Sequence, residues 1–300
     1  KGKTEEVLGQ LGQEVDAVVL DPPRVGCQPE ALESLTRLSP AKVAYVSCDP
    51  ESLARDLKLL AKGPFQVAWV QPVDMFPQTY HVESIALLTL KPGHPITLAS
   101  SSPRRRSILQ EAGIAFNVMS PRGEEAPPTG RPEEYVQGLA LAKAREVAGR
   151  LRRGLVLAAD TAVVDGDRIL GKPKDSAEAM DMLRSLRGQR HRVMTGVAVM
   201  DAASGEAASG VEVSWVAMRD YSDAEAQAFV DSGEAMDKAG AYAIQDPLFK
   251  PAQSVDGCYL NVVGLPICLA VKLLRRMGAD PEGVELPREC AAHDEQGGPL

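Results

Sequence analysis

Leu98-Ala99-Ser100-Ser101-Ser102-Pro103-Arg104-Arg105-Arg106 passes from an apolar strand into a helix within a few residues. That hand-over decides the fold class, because strands alternating with helices build an α/β domain. Ser102 is the expected N-cap, and Pro103 suits the first helical position, where its missing N–H costs nothing. Working outward, Ile96 to Ala99, Val156 to Ala159, Arg192 to Met200 and Val211 to Met218 read as strands. Asp175-Ser176-Ala177-Glu178 opens a helix with a capping box, Met182, Leu183 and Leu186 form its apolar face, and Gly188 ends it. Ser222-Asp223-Ala224-Glu225 opens another, which stops near Gly233.

Upstream, Lys91-Pro92-Gly93-His94-Pro95 separates two apolar runs, Ser84 to Leu90 and Ile96 to Ala99. The expected domains are therefore 1–92 and 93–278, and 279–300, polar and rich in Gly and Pro, reads as a disordered tail. In the first domain, Val15 to Leu20 runs into Asp21-Pro22-Pro23, and Lys42 to Val46 into Ser47-Cys48-Asp49-Pro50. Glu30 to Leu38 and Glu51 to Ala61 have helical spacing. Strand, loop and helix twice over predict a parallel sheet, whose ligands collect at the carboxyl ends of strands, where Asp21 and Cys48 fall.

Composition bounds the function. The 300 residues carry a net charge of −8, of which −3 precedes Pro92 and −5 follows, so neither part is a general polyanion-binding surface. Any phosphate site must be local. Five cysteines without framework or metal-ligand spacing exclude a disulfide scaffold and fit a reducing compartment. No apolar run approaches the roughly 20 residues that cross a bilayer, and Lys1 to Gln10 lack a signal peptide's apolar stretch. A cytoplasmic protein with no membrane partner is expected. The chain starts at Lys1 rather than Met, so upstream sequence is expected to be missing.

Three polar clusters flank strands of the first domain: Asp21-Pro22-Pro23-Arg24, Ser47-Cys48-Asp49-Pro50 and His81-Val82-Glu83. With Tyr45-Val46, Leu53-Ala54-Arg55-Asp56-Leu57 and Asp74-Met75-Phe76-Pro77-Gln78-Thr79, they resemble the C-terminal half of the RNA 5-methyluridine methyltransferases that use S-adenosylmethionine. Asp49 stands where that family usually has Asn. The resemblance implies half of a Rossmann-like methyltransferase sheet, with Cys48 as the nucleophile that adds to the uracil ring, Glu83 as the proton acceptor and Asp21 as a contact to S-adenosylmethionine. RNA is the implied partner, its target uridine unstacked into a pocket. The family's RNA-binding part and glycine-rich cofactor loop belong upstream. S-adenosylmethionine is therefore expected to bind only if that part is complete, and this chain is expected to have little or no methyltransferase activity.

In the second domain the helix that begins at Pro103 offers free N–H groups and the positive end of its dipole, to which Ser100 and the arginines add donors and charge. A triphosphate is the matching guest. Ala158-Ala159-Asp160-Thr161 is expected to end a strand with a carboxylate, and Gly171-Lys172-Pro173 follows the Asp165-Gly166-Asp167 turn. Carboxylates beside phosphate suit Mg²⁺ or another divalent cation: Asp160 could hold the ion or polarise the attacking water, and Glu125 of the Glu124-Glu125 pair is either a second ligand or part of a solvated loop.

These segments, with Tyr135-Val136 and Lys143, Thr195-Gly196-Val197, Asp237-Lys238-Ala239-Gly240-Ala241-Tyr242, Gln245 and Val262-Val263-Gly264-Leu265-Pro266, resemble the Maf family of nucleoside triphosphate pyrophosphatases. The resemblance implies an elongated α/β domain with a mixed sheet, similar to the inosine triphosphatases, and hydrolysis of a nucleoside triphosphate to the monophosphate and pyrophosphate. It makes Asp160, Glu125 and Lys172 catalytic, and Ser100, Arg104, Arg105, Thr161 and Gln245 substrate-binding. Arg104, Thr161 and Gln245 look like the branch acting on dTTP and UTP rather than on 7-methylated GTP. A glutamine amide can pair with both a carbonyl and an N–H of a pyrimidine edge. Ala243 replaces the usual Gly there, and Asp246-Pro247-Leu248-Phe249 replaces a glycine-rich continuation. A homodimer is expected by analogy. The rival readings are RNA uridine methylation by the first domain and a nucleotide-binding regulator of cell division.

Overall fold

The computed structural model describes residues 15–123, 130–279, 281 and 284. Glu125 lies outside the described residues, and so does the expected tail except at positions 279, 281 and 284. The chain divides into two compact units, Lys1–Pro95 and Ile96–Leu300.

The first unit contains β1 (Ala17–Leu20), α1 (Pro29–Leu38), β2 (Lys42–Ser47), α2 (Pro50–Ala61), β3 (Phe65–Val73) and β4 (Glu83–Leu90). They form a four-stranded sheet in the order β1-β2-β4-β3. Only β1 and β2 are parallel, while β4 runs antiparallel to both β2 and β3. The expected parallel sheet is therefore corrected to a mixed one. Its cause is the connection 74–82, which joins β3 to β4 without a helix and lets them pair as a hairpin. Leu35, Val43, Tyr45, Leu60, Phe65 and Leu88 fill the core. Asp56, fully buried, accepts hydrogen bonds from the Cys27 N–H at 2.8 Å and the Tyr45 hydroxyl at 2.5 Å, and it pairs with Arg55 at 2.8 Å. A buried carboxylate needs such partners, and these tie the loop after β1 to β2 and α2.

The second unit contains β5 (Ile96–Leu98), α3 (Pro103–Glu111), β6 (Asn117–Val118), α4 (Pro132–Ala148), β7 (Leu155–Asp165), β8 (Arg168–Leu170) and α5 (Ser176–Leu186). It continues through β9 (Arg190–Asp201), β10 (Ala207–Met218), α6 (Asp223–Asp231), a 3₁₀ turn (Ala239–Ala241), β11 (Ala252–Asp256), α7 (Tyr259–Val263) and α8 (Ile267–Arg276). The sheet order is β11-β10-β9-β7-β5-β6, with β8 paired to β7. β5 is parallel to β6 and β7, and the other pairs are antiparallel.

Alternation along β7 assigns its two faces. Leu155, Leu157 and Ala159 pack with Leu109, Ile267 and Leu274, and Val163 packs with Leu183, Phe229 and Tyr242. The intervening Val156 and Ala158 meet Ala140, Ala144 and Val147 of α4. The period of two thus buries both faces, with helices on each.

Two capping expectations differ in detail. Ser222 and Glu225 form the full reciprocal box. Asp175 accepts the Glu178 N–H at 2.8 Å, but the Glu178 carboxylate turns to the Lys174 N–H instead. Ser102 occupies the N-cap position of α3 without a side-chain cap bond, and Pro103 is in its first turn.

Candidate functional site

β7 runs eight residues past the point where its pairing with the parallel β5 ends, from Leu157 to Asp165, and the site lies along that stretch. β5 pairs with β7 at residues 155–157, and β8 returns to it at residues 163–165. Among the described residues, 158–162 therefore have a strand on the β9 side alone. This corrects the expectation that Asp160 ends its strand: the ladder to β9 continues through Asp160 and Thr161 to Val164, because Ala162, Val163 and Val164 are apolar and buried. Asp160 is a mid-strand residue at a break in the sheet.

The chain enters that break from β5. The Ala99 N–H donates to the Leu157 carbonyl at 2.8 Å, and Ser100 follows, 4% exposed. The Ser100 hydroxyl accepts from the Ser102 N–H at 3.2 Å, so the cap contact comes from Ser100 rather than Ser102. In the first turn of α3, Arg105 spreads its guanidinium over Gly264, Ser100 and Thr161. Nε donates to the Gly264 carbonyl at 2.8 Å, one terminal nitrogen to Ser100 Oγ at 3.3 Å and the other to Thr161 Oγ1 at 3.1 Å. Thr161 Oγ1 lies 2.9 Å from Thr195 Oγ1, its cross-strand neighbour. Ser100, Arg105 and Thr161 are thus brought together by direct bonds.

Asp160 points to the other face, 7% exposed, where Lys143 Nζ meets its Oδ1 at 2.5 Å. Lys143 reaches it because α4 lies almost against the sheet. A Cβ at Gly196 would sit 2.3 Å from the Val136 carbonyl oxygen, a contact no side chain tolerates. Gly196 is the β9 partner of Asp160. Lys143 had a sequence signal: with Val136, Ala140 and Val147 it shares the apolar face of α4, where an unpaired ammonium would be costly.

Arg104 is directed elsewhere and approaches Asp237 at 3.7 Å. Burial pushes the Asp237 carboxyl up, but the hydrogen bond and charge of Lys238, with Arg104 beyond, hold it below its ordinary value. Lys238, itself buried, also meets Glu234 at 2.9 Å. The Gly240 N–H donates to the Gly171 carbonyl at 3.0 Å, which ties the Gly171-Lys172 turn to the 3₁₀ segment. Lys172 and Gln245 are both exposed. Glu125 lies outside the described residues.

In the first unit, the ladder sets the three expected residues at one end of the sheet. Asp21 follows Leu20, which pairs with Tyr45, and the Ser47–Ser84 pair makes Cys48 and Glu83 the next residues on their strands. Cys48 and Glu83 are half-buried, and Asp21 is exposed. Asp49 caps α2 by accepting the Ser52 N–H at 2.8 Å, and this bond lowers its carboxyl below the usual range.

No helix among the described residues is long and apolar enough to cross a membrane. Residues 95–277 match the family model described as Maf-like protein, and residues 10–91 match that of tRNA (Uracil-5-)-methyltransferase. The dTTP/UTP pyrophosphatase of Dehalococcoides mccartyi (strain CBDB1) is 48% identical over 189 residues, 62% of this chain and 84% of that protein. The dTTP/UTP pyrophosphatase of Pelotomaculum thermopropionicum is 47% identical over 184 residues, 61% of this chain and 96% of that protein. Among solved structures, the Pyrococcus abyssi tRNA (uracil-54, C5)-methyltransferase in complex with S-adenosyl-L-homocysteine is 43% identical, with 25% of this chain and 18% of that chain covered and a TM-score of 0.23. The Maf-like match takes in more than half of the sequence, and these relatives are matched over most of their own length, so the chain belongs to the Maf-like protein family.

Proposed function

We propose that the second unit is a nucleoside triphosphate pyrophosphatase, which hydrolyses dTTP and UTP between the α and β phosphates to the monophosphate and pyrophosphate. The observation that carries this reading is the meeting of Ser100, Arg105 and Thr161 at the position next along β7 from the Asp160–Lys143 pair, where among the described residues β7 lacks an outer neighbour and α3 begins. Donors and positive charge at a helix start suit phosphate, and a carboxylate alongside suits proton removal from water. The relatives carrying the dTTP/UTP pyrophosphatase name support the same reaction.

In this reading Asp160 accepts the proton of the attacking water, and Lys143 holds that carboxylate in place. Water oxygen bonds to the α phosphorus as the bond to the bridging oxygen breaks, and pyrophosphate leaves. Ser100, Arg104 and Arg105 hold the phosphates, Glu125 and Lys172 complete the polar set, and Gln245 and Thr161 set the pyrimidine preference. Approach of water to a polyanion is opposed electrostatically, so each donor supplies about 3 kcal/mol of transition-state stabilisation.

A divalent cation fits the donor chemistry: Asp160 offers a buried carboxylate, and Mg²⁺ commonly takes one or two carboxylates together with substrate phosphates. Asp160 and Glu125 would hold it, and it would neutralise phosphate charge. No group of three metal-ligating side chains occurs among the described residues; Mg²⁺ commonly keeps several waters and takes oxygens of the substrate phosphates.

The test is a panel of nucleoside triphosphates assayed for pyrophosphate with and without Mg²⁺. Faster release from dTTP and UTP than from purine nucleotides is expected. Tight nucleotide binding without release from any of them would replace the enzyme by a nucleotide-binding regulator.

For the first unit, the adjacency of Cys48 and Glu83 supports the residue roles of RNA uridine methylation. Incubation with labelled S-adenosylmethionine and uridine-containing RNA is expected to transfer no label. Transfer that disappears in Cys48→Ala would establish the activity.

A further inference from the structure

We propose that Thr195 is a positioning residue that aims the Arg105 guanidinium from behind, without touching substrate. The inference rests on the proposed phosphate role of Arg105 for its catalytic consequence, but not for its geometry.

Thr195 is 0% exposed and sits in the middle of β9, between Met194 and Gly196. A hydroxyl buried there is costly unless it is fully bonded. Its Oγ1 contacts two oxygens, the Asn261 carbonyl at 3.1 Å and Thr161 Oγ1 at 2.9 Å. A carbonyl can only accept, so the single Thr195 proton goes to Asn261. The contact between the two threonines must then run from Thr161 to Thr195, which leaves the Thr161 lone pairs to receive the Arg105 N–H at 3.1 Å. The hydroxyls are ordered in one direction, from Arg105 through Thr161 and Thr195 to the Asn261 carbonyl.

The same proton anchors a second hold on Arg105. Asn261 lies in α7, and the Gly264 and Leu265 N–H groups both donate to the Leu260 carbonyl, leaving the Asn261 carbonyl to Thr195. Three residues on, the Gly264 carbonyl takes Arg105 Nε at 2.8 Å. Asn261 Nδ2 fastens this loop to Val193 at 3.0 Å and to Ser214 at 2.9 Å. Thr195 therefore stands behind two of the Arg105 contacts, one through Thr161 and one through the Asn261–Gly264 loop. Thr195→Val removes both supports while keeping the shape. Among the described residues the Thr161 proton then has the Gly264 carbonyl, 3.4 Å away, to turn to, and the Asn261 carbonyl loses its buried donor.

The experiment compares wild type, Thr195→Val and Thr195→Ser in the full chain by pyrophosphate release and by hydrogen exchange of the Arg105 Nε–H, assigned by its loss in Arg105→Lys. Thr195→Val is expected to lower kcat about 10- to 100-fold, by a similar factor for each nucleotide turned over, and to speed Nε–H exchange at least about tenfold. Thr195→Ser is expected to recover both to within about threefold. Thr195→Cys, with a weak donor at similar volume, is expected to fall between them and serves if the valine variant does not fold. Wild-type kcat and exchange in Thr195→Val, or a serine variant as impaired as the valine one, would overturn the inference. Wild-type protein that releases no pyrophosphate overturns the proposed reaction instead, and the exchange comparison still decides the role of Thr195.

Discussion

Asp160 sits directly across the β7–β9 ladder from Gly196, and the missing side chain at Gly196 is what lets α4 bring Lys143 to 2.5 Å from Asp160. The carboxylate and its cation are 17 residues apart in sequence, but their meeting depends on a third element, β9. Backbone approach, rather than side-chain reach alone, makes the pair.

Gly196→Ala tests that dependence. Its Cβ would lie 2.3 Å from the Val136 carbonyl oxygen and 2.4 Å from the carbonyl carbon, so α4 must move away from the sheet. A loss of about 3 kcal/mol in urea unfolding is expected, since backbone cannot yield as a side chain can. Pyrophosphate release should fall as well, because Lys143 leaves with the helix; full turnover in a folded variant would separate the glycine from the site.

Asp160→Asn keeps the shape and removes the proposed proton acceptor. Turnover is expected to fall at least about 100-fold, while nucleotide affinity measured by calorimetry changes less than about tenfold. Unchanged turnover would take Asp160 out of its role.

Lys143→Met leaves the Asp160 carboxylate buried opposite a thioether. A destabilisation of about 3–5 kcal/mol is expected in denaturant unfolding, the usual cost of breaking one side of a buried pair. In the double variant Lys143→Met with Asp160→Asn, at least half of that loss should return while turnover does not. If the double variant is no more stable than Lys143→Met, the pair is not what holds this region.

Gln245→Ala is expected to reduce the preference for pyrimidine over purine triphosphates by about 1–3 kcal/mol in ratios of kcat/KM, with smaller loss of triphosphate binding. Equal loss across all bases would remove Gln245 from base recognition.

His191 gives a pH prediction. It is 1% exposed, its Nε2 lies 2.9 Å from the Tyr242 hydroxyl, and burial pushes its pKa down to about 4. The unfolded chain binds the proton more readily, so stability rises with pH between about 4 and the ordinary value near 6.5. About 3 kcal/mol present above pH 6.5 is lost on acidification to pH 4, below which this group contributes no further slope. His191→Gln, whose amide can still meet Tyr242, should flatten the unfolding free energy over that window; an unchanged slope would place the acid sensitivity elsewhere.

The sequence by itself determined the elements and the local chemistry. Apolar alternation marked β7 and β9, Pro103 marked the start of α3, and Ser222 to Glu225 marked the start of α6, because each depends on neighbours within a few residues. In the first unit β1 and β2 are parallel as their strand–helix alternation predicts, but the antiparallel β4 is not legible, since whether a helix or a bare loop joins two strands fixes their pairing and 74–82 gives no periodic signal. The end of β7 was misread for a related reason: a polar pair inside a strand looks like its end until the opposing strand is known to continue. Only the tertiary structure decided that Asp160 belongs with Lys143, that Arg105 and not Arg104 meets Thr161, and that Thr195 and Asn261 stand behind it. Those are contacts across strands and between distant loops, set by register and by how closely backbones approach, and neither quantity is written in the spacing of residues along the chain.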